Sequence, residues 1–162
     1  MFQRVQKWLE FPIKFTNQDN FHVTLSFLGF LDDSMLPEVC QSVKEALEGK
    51  EGFEIEFERI ELGPNREKPN IVWLVGEANK ELKELQEDIE KSLDIFVSEK
   101  KNFRPHVTLG KIRKHKWEAF PEKPKIEENF RISIPVESVE ILESKIENGK
   151  RKYDVLESCE IK

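Results

Sequence analysis

The chain has 162 residues, 38% hydrophobic and 36% charged, with a net charge of −6 at pH 7. That length suits one domain or two small lobes sharing a core, and the acidic balance excludes a surface that binds a long polyanion throughout. No apolar run approaches the roughly 20 residues of a membrane span, and the opening "MFQRVQKWLEF" lacks the basic, apolar and small-residue pattern of a signal peptide.

In chain order, "MFQRVQKWLE" spaces Phe2, Val5 and Leu9 along one helical face, and "FPIKFT" reads as a short strand opened by a proline. "FHVTLSFL" alternates Phe21, Val23, Leu25 and Phe27 against His22, Thr24 and Ser26, the period of a half-buried strand. "DDSMLPEVCQSVKEALEG" sets Leu36, Val39, Cys40, Val43 and Leu47 at helical spacing between acidic residues and Gly49. "FEIEFERIELG" alternates again, "GPNREKPN" is a turn, and "IVWLVGE" is an apolar strand. "NKELKELQEDIEKSLDIF" is an amphipathic helix with Leu82, Leu85, Ile89, Leu93 and Phe96 on one face. "PHVTLGKI" is a strand, and an irregular stretch follows from Arg113 to about Glu127. The closing strands lie in "NFRISIPVESVEILESKI" and "KYDVLESCEIK", the last two joined across the hairpin turn "ENGK". This order predicts an α+β fold. It has two pseudo-symmetric lobes of antiparallel sheet with outer helices, and a cleft between them holds the active site.

Two cysteines, Cys40 and Cys159, form neither a disulfide framework nor a zinc motif, so a reducing cytoplasm is the expected compartment.

The tetrapeptide His-Val-Thr-Leu occurs at 22–25 and again at 106–109, and it holds two of the chain's three histidines. Side chains at i and i+2 of a strand share a face, roughly 6.5–7 Å apart. His22 therefore points with Thr24, and His106 with Thr108, while valine and leucine face a core. Two imidazoles and two hydroxyls around one small ligand suit phosphodiester chemistry without a metal. A neutral imidazole takes a proton from water, an imidazolium gives one to a leaving oxygen, and threonine hydroxyls donate to phosphate oxygens as charge grows there.

One His-x-Thr alone is an ordinary feature of a strand's polar face; its exact repetition is what makes it a site. A metal centre is short of ligands, since no His, Cys, Asp or Glu cluster lies beside either motif. No Gly-rich phosphate loop and no G-x-S-x-G elbow appears. His115 stands outside the repeat and reads as a surface residue. No cofactor is expected.

The charge is unevenly spread. Lys100, Lys101, Arg104, Lys111, Arg113, Lys114 and Lys116 lie between 100 and 117 with no Asp or Glu among them. Alone this window reads as a solvated loop. Around His106 it becomes a phosphate-attracting rim, with Arg104, Lys111 and Arg113 as substrate-binding candidates.

The paired motifs resemble the 2H phosphoesterase superfamily, and within it the RNA 2′,3′-cyclic phosphodiesterase branch, historically called 2′-5′ RNA ligase. "DNFHVTLSFLGFL" is similar to that family's first motif and "FRPHVTLGKI" to its second. "IVWLVGE" and "VEILESKIENGKRKYDVLES" also fit, so the resemblance runs from about Phe11 to the C-terminus. It implies His22 as the general acid that protonates the departing ribose 3′ oxygen and His106 as the general base that activates water. Thr24 and Thr108 then hold the phosphate, and the product is a 2′-phosphomonoester. It also implies 2′-5′ joining in reverse without ATP, in keeping with the lack of a Lys-x-Asp-Gly motif. RNA 3′ ends or small cyclic nucleotides are the expected partners. Rival readings are a relative acting on 2′-5′ oligonucleotides or 1″,2″-cyclic phosphates, and a non-catalytic RNA-end binder.

One departure concerns the start. Family members begin with an apolar strand before the segment present here, and Met1 falls in what resembles the tail of the following helix. The expectation is a monomer less stable than an upstream-extended form, with dimerisation through the N-terminal region as its alternative.

Overall fold

The computed structural model describes residues 8–96 and 103–162. Its elements are β1 (Ile13–Phe15), α1 (Leu36–Leu47), β2 (Phe53–Gly63), β3 (Ile71–Gly76), α2 (Lys80–Ser92), β4 (His106–Ile112), α3 (Lys114–Glu118), β5 (Glu127–Val136), β6 (Ser138–Glu147) and β7 (Lys150–Glu160). Single 3₁₀ turns occupy Gln18–Asn20 and Asp33–Met35. The fold is α+β, with antiparallel strand pairs. No helix among the described residues is long and apolar enough to cross a membrane. The chain forms two compact units that interleave along the sequence.

The first unit comprises Met1–Val23, Glu56–Glu77 and Pro105–Ile132. Its sheet has the order β1-β4-β3-β2-β5. β3 is a nearly continuous apolar run because Val72, Trp73, Leu74 and Val75 are all buried, so both faces of this central strand are covered. One face is the hydrophobic core. Ile60 pairs with Leu74 and Leu74 with Val107, while Ile13 pairs with Ile112, and all five are buried. Each such side chain contributes roughly 1.5–3 kcal/mol on leaving water.

α3 lies inside the stretch expected to be irregular. Five residues are too few to show a helical period, and Trp117 is its one buried anchor. The Lys123 ammonium donates to the carbonyls of Trp117 (2.6 Å), Glu118 (3.0 Å) and Phe120 (2.8 Å), closing its C-terminal end.

The second unit comprises Thr24–Ile55, Ala78–Arg104 and Ser133–Lys162. Val39, Val43 and Leu47 of α1 meet Leu85 and Ile89 of α2, with Leu93, Phe96, Cys159 and Ile161 completing the core. α2 starts where Asn79 Oδ1 accepts from the Leu82 N–H at 2.9 Å. It ends at Ser92, before the expected Phe96, but Leu93 and Phe96 stay buried in the turn that follows. The β6–β7 hairpin turns at Asn148 (φ 50°) and Gly149 (φ 72°), the conformation for which Asn-Gly is suited.

Two expectations need correction. The strand over "FHVTLSFL" is reduced to one antiparallel bridge, Val23 to Val107. Beyond Val23 the chain leaves the sheet because Leu25, Leu28 and Leu31 are partly buried against the helical core of the second unit. Tertiary packing here overrides alternation. At the N-terminus, Phe2 and Val5 lie outside the described residues. Leu9, placed on the same apolar face, is 59% exposed, and Trp8 is buried in its stead.

Candidate active site

β4 displays its two polar motif residues through its register with β3. His106 pairs with Val75, Val107 with Leu74, Thr108 with Trp73, Gly110 with Val72 and Lys111 with Ile71; Leu109 is the extra residue of a bulge. Val107 faces the core, so His106, Thr108 and Lys111 occupy the opposite face, together with Trp73.

His22 reaches that face through the bridge. In an antiparallel pair, the residue before Val23 stands beside the residue after Val107, so His22 lies beside Thr108. His106 is then its diagonal neighbour, at a Cα separation of roughly 7–8 Å. Both imidazoles are half-buried.

The His22 ring is oriented by its own turn. Its Nδ1 lies 2.8 Å from the carbonyl oxygen of Asn20. A carbonyl only accepts, so Nδ1 is the donor in this contact. Asn20 ends the 3₁₀ turn that Asn17 caps by accepting from the Asp19 N–H.

The His106 ring lies against Trp73, with ring centroids 4.8 Å apart and planes at 59°. The indole in turn lies across Gly63, where a Cβ would collide with Trp73 Cε2, so any larger residue displaces it. Glu61 pairs with Trp73 on the same face. It is only 5% exposed, and its carboxylate accepts from Arg66 Nη2 (2.6 Å) and Arg59 Nε (3.2 Å). A buried carboxylate needs such partners. Glu61, Trp73, Thr108 and His22 thus form one row across the sheet. Sequence reasoning missed Glu61, Trp73 and Gly63. The available signal was a charged residue at an inward position of "FERIELG".

The other predicted residues belong to the following elements. Thr24 is half-buried and opens the second unit, and exposed Arg104 closes a segment of it just before Pro105. Exposed Arg113 precedes α3, and its N–H donates to the Pro12 carbonyl at 2.8 Å. Lys100 and Lys101 lie outside the described residues. His115 is exposed on α3, away from the repeat. Among the described residues, no three His, Cys, Asp or Glu side chains gather as a metal centre.

Known proteins share this arrangement of chain. The RNA 2′,3′-cyclic phosphodiesterase of Aeropyrum pernix is 33% identical over 105 residues, 63% of this chain and 58% of that protein. The RNA 2′,3′-cyclic phosphodiesterase of Bacillus subtilis is 30% identical over 138 residues, 84% of this chain and 66% of that protein. The chain thus spans less than two thirds of either curated relative's length. The crystal structure of TT0787 of Thermus thermophilus superimposes with a TM-score of 0.81 at 21% identity, covering 99% of this chain and 87% of that one, so the fold is shared. The model of the 2′-5′ RNA ligase superfamily matches residues 3–146, and the chain therefore belongs to that superfamily of 2H phosphoesterases.

Proposed function

We propose that the protein hydrolyses RNA 2′,3′-cyclic phosphate ends to 2′-phosphomonoesters, without metal or ATP, in a reducing cytoplasm. The observation that carries this reading is the backbone register that sets His22 and His106 as diagonal neighbours on one sheet face, with Thr108 beside His22. The printed activity of the Aeropyrum and Bacillus relatives supports it. Residues 1–162 act as one two-lobed domain.

His106 is the general base. It takes a proton from water as the water oxygen bonds to phosphorus. The bond from phosphorus to the ribose 3′ oxygen breaks, and His22 gives that oxygen a proton from Nε2. The phosphate stays on the 2′ oxygen. The Nδ1–H bond to Asn20 suits His22 to this role because it survives in both protonation states. Each proton-transfer group accounts for roughly 10²–10⁴ in rate. Thr24 and Thr108 donate to the non-bridging phosphate oxygens as charge accumulates. Arg104, Lys111 and Arg113 attract the RNA backbone. With a ribose 5′ hydroxyl in place of water, the same groups join two strands through a 2′-5′ link.

Incubation with a 2′,3′-cyclic nucleotide in EDTA, followed by identification of the oxygen that keeps the phosphate, tests the proposal. A 2′-phosphate is expected. A 3′-phosphate, or no opening without added metal, overturns it.

A further inference from the structure

We propose that Glu61 is a positioning residue: held by Arg59 and Arg66, it fixes the indole of Trp73 and, through it, the imidazole of His106; this rests on the phosphodiesterase reading above. Glu61 stands directly opposite Trp73 in the β2–β3 register. The two side chains therefore leave one face of the sheet, with Cβ atoms about 4.5–5.5 Å apart. Gly63 lies two positions further along the same face of β2. The indole covers it so closely that a Cβ there would collide with Cε2, Cζ2 and Nε1. On the β4 side the indole lies against His106, with ring centroids 4.8 Å apart. β2 thus borders the indole with one position that has no side chain and one carboxylate. Of the two, only the carboxylate can block movement of the ring.

Such a stop must itself be fixed. Oε2 of Glu61 accepts from Arg66 Nη2 at 2.6 Å and from Arg59 Nε at 3.2 Å, so donors on either side of it in the chain restrain one carboxylate oxygen. Stability does not account for this arrangement. Taking a carboxylate out of water costs several kcal/mol, and apolar residues of similar volume in place of a buried ion pair are often neutral or stabilising. Glu61 is 5% exposed in a strand whose Ile55, Phe57 and Ile60 are buried and apolar. An apolar residue there would serve burial as well. What the pinned carboxylate adds is a fixed geometry, and the group beside it is the ring that touches His106. A reacting group misplaced by about 1 Å can lose about 10²-fold in rate, so a support of this kind bears on turnover.

The test is a double-mutant cycle on turnover of a 2′,3′-cyclic mononucleotide, with an NMR readout beside it. Glu61→Ala is expected to lower kcat by about 10-fold and to change KM less. Glu61→Gln keeps the length and an oxygen that accepts from the arginines, and restores most of the rate. Arg66→Ala removes one donor at a side chain that is 64% exposed, and lowers kcat in the same direction. In a Trp73→Leu background Glu61→Ala has no further effect, because its influence passes through the indole. A Glu61 that only stabilised the fold would move the urea midpoint, leave kcat of the folded enzyme alone and act equally in both backgrounds. Independently of turnover, the Cε1–H resonance of His106, assigned by its loss in His106→Ala, is expected to shift in Glu61→Ala towards its position in Trp73→Leu, as the indole ring current moves off it. Should Glu61→Ala not fold, Arg66→Ala takes its place in every measurement. Wild-type kcat in the variant, an effect undiminished without the indole, or an unmoved resonance overturns the positioning role. A wild type that leaves the cyclic mononucleotide intact overturns the activity instead, and the resonance then decides the role of Glu61 alone.

Discussion

The indole of Trp73 holds the imidazole of His106 at a centroid distance of 4.8 Å, and Gly63 leaves the space in which that indole lies. An indole this close limits the orientations open to the imidazole. If that contact positions His106 for proton transfer, Trp73→Leu lowers kcat by up to about 10²-fold. KM changes less, and Trp73→Phe retains more activity than Trp73→Leu. Gly63→Ala acts in the same direction by displacing the ring. Steady-state kinetics of the three variants check the contact. A Trp73→Leu enzyme with the kcat of the wild type removes the basis for the prediction.

Loss of either motif histidine removes one proton transfer. His22→Ala and His106→Ala each lower turnover by at least about 10²-fold, and His115→Ala has little effect. The mechanism needs one histidine neutral and the other charged, so kcat/KM against pH is bell-shaped. Near-normal turnover by His106→Ala would falsify the acid–base scheme.

Thr24→Val and Thr108→Val keep the shape of the side chain and delete its donor. Each lowers kcat by about 10²–10³ if its hydroxyl stabilises transition-state charge as an oxyanion-hole donor does. Neutralising Arg104, Lys111 or Arg113 instead raises KM for RNA more than for a mononucleotide and flattens the salt dependence. Steady-state kinetics on both substrates separate the two classes. Basic-residue variants that match the wild type on both would leave the 100–117 window as a solvated loop.

Asn79 joins two elements of the second unit. It caps α2 through the Leu82 N–H, and its Nδ2 donates to the Glu54 carbonyl at 2.8 Å. Asn79→Ala costs about 1 kcal/mol of stability, the usual loss for an N-cap. Urea unfolding reads this as a lower midpoint with an unchanged slope. An unaltered midpoint would show that the cap is redundant.

Burial pushes the Cys159 thiol above the ordinary thiol range, partly opposed by the nearby Lys44 ammonium. The raised folded-state value means that the unfolded chain loses this proton first. The stability contribution is therefore fully present below the ordinary thiol pKa, and it shrinks as pH climbs past that value. In the folded protein at neutral pH, brief iodoacetamide treatment labels half-buried Cys40 ahead of Cys159. After unfolding the two label alike. Mass analysis of the peptides decides the order.

The sequence alone determined the features that depend on local spacing. The repeat at 22–25 and 106–109 named both histidines and both threonines. Alternation placed His106 and Thr108 on one face of β4. Helical periodicity found Val39, Val43 and Leu47 on α1 and Leu82, Leu85 and Ile89 on α2, and Asn-Gly located the β6–β7 turn. Only the tertiary structure decided which strands are neighbours. The single Val23–Val107 bridge brings His22 beside Thr108, although the flanking residues never form the strand their alternation suggests. Register across three strands brings Glu61 and Trp73 into that row, and a fourth strand sets Lys14 against Lys111. A two-residue period tells which face a side chain takes, but it carries no information about the strand alongside. That choice belongs to the burial of Leu74, Val107 and Ile60 as one layer, a contact among residues far apart in the chain.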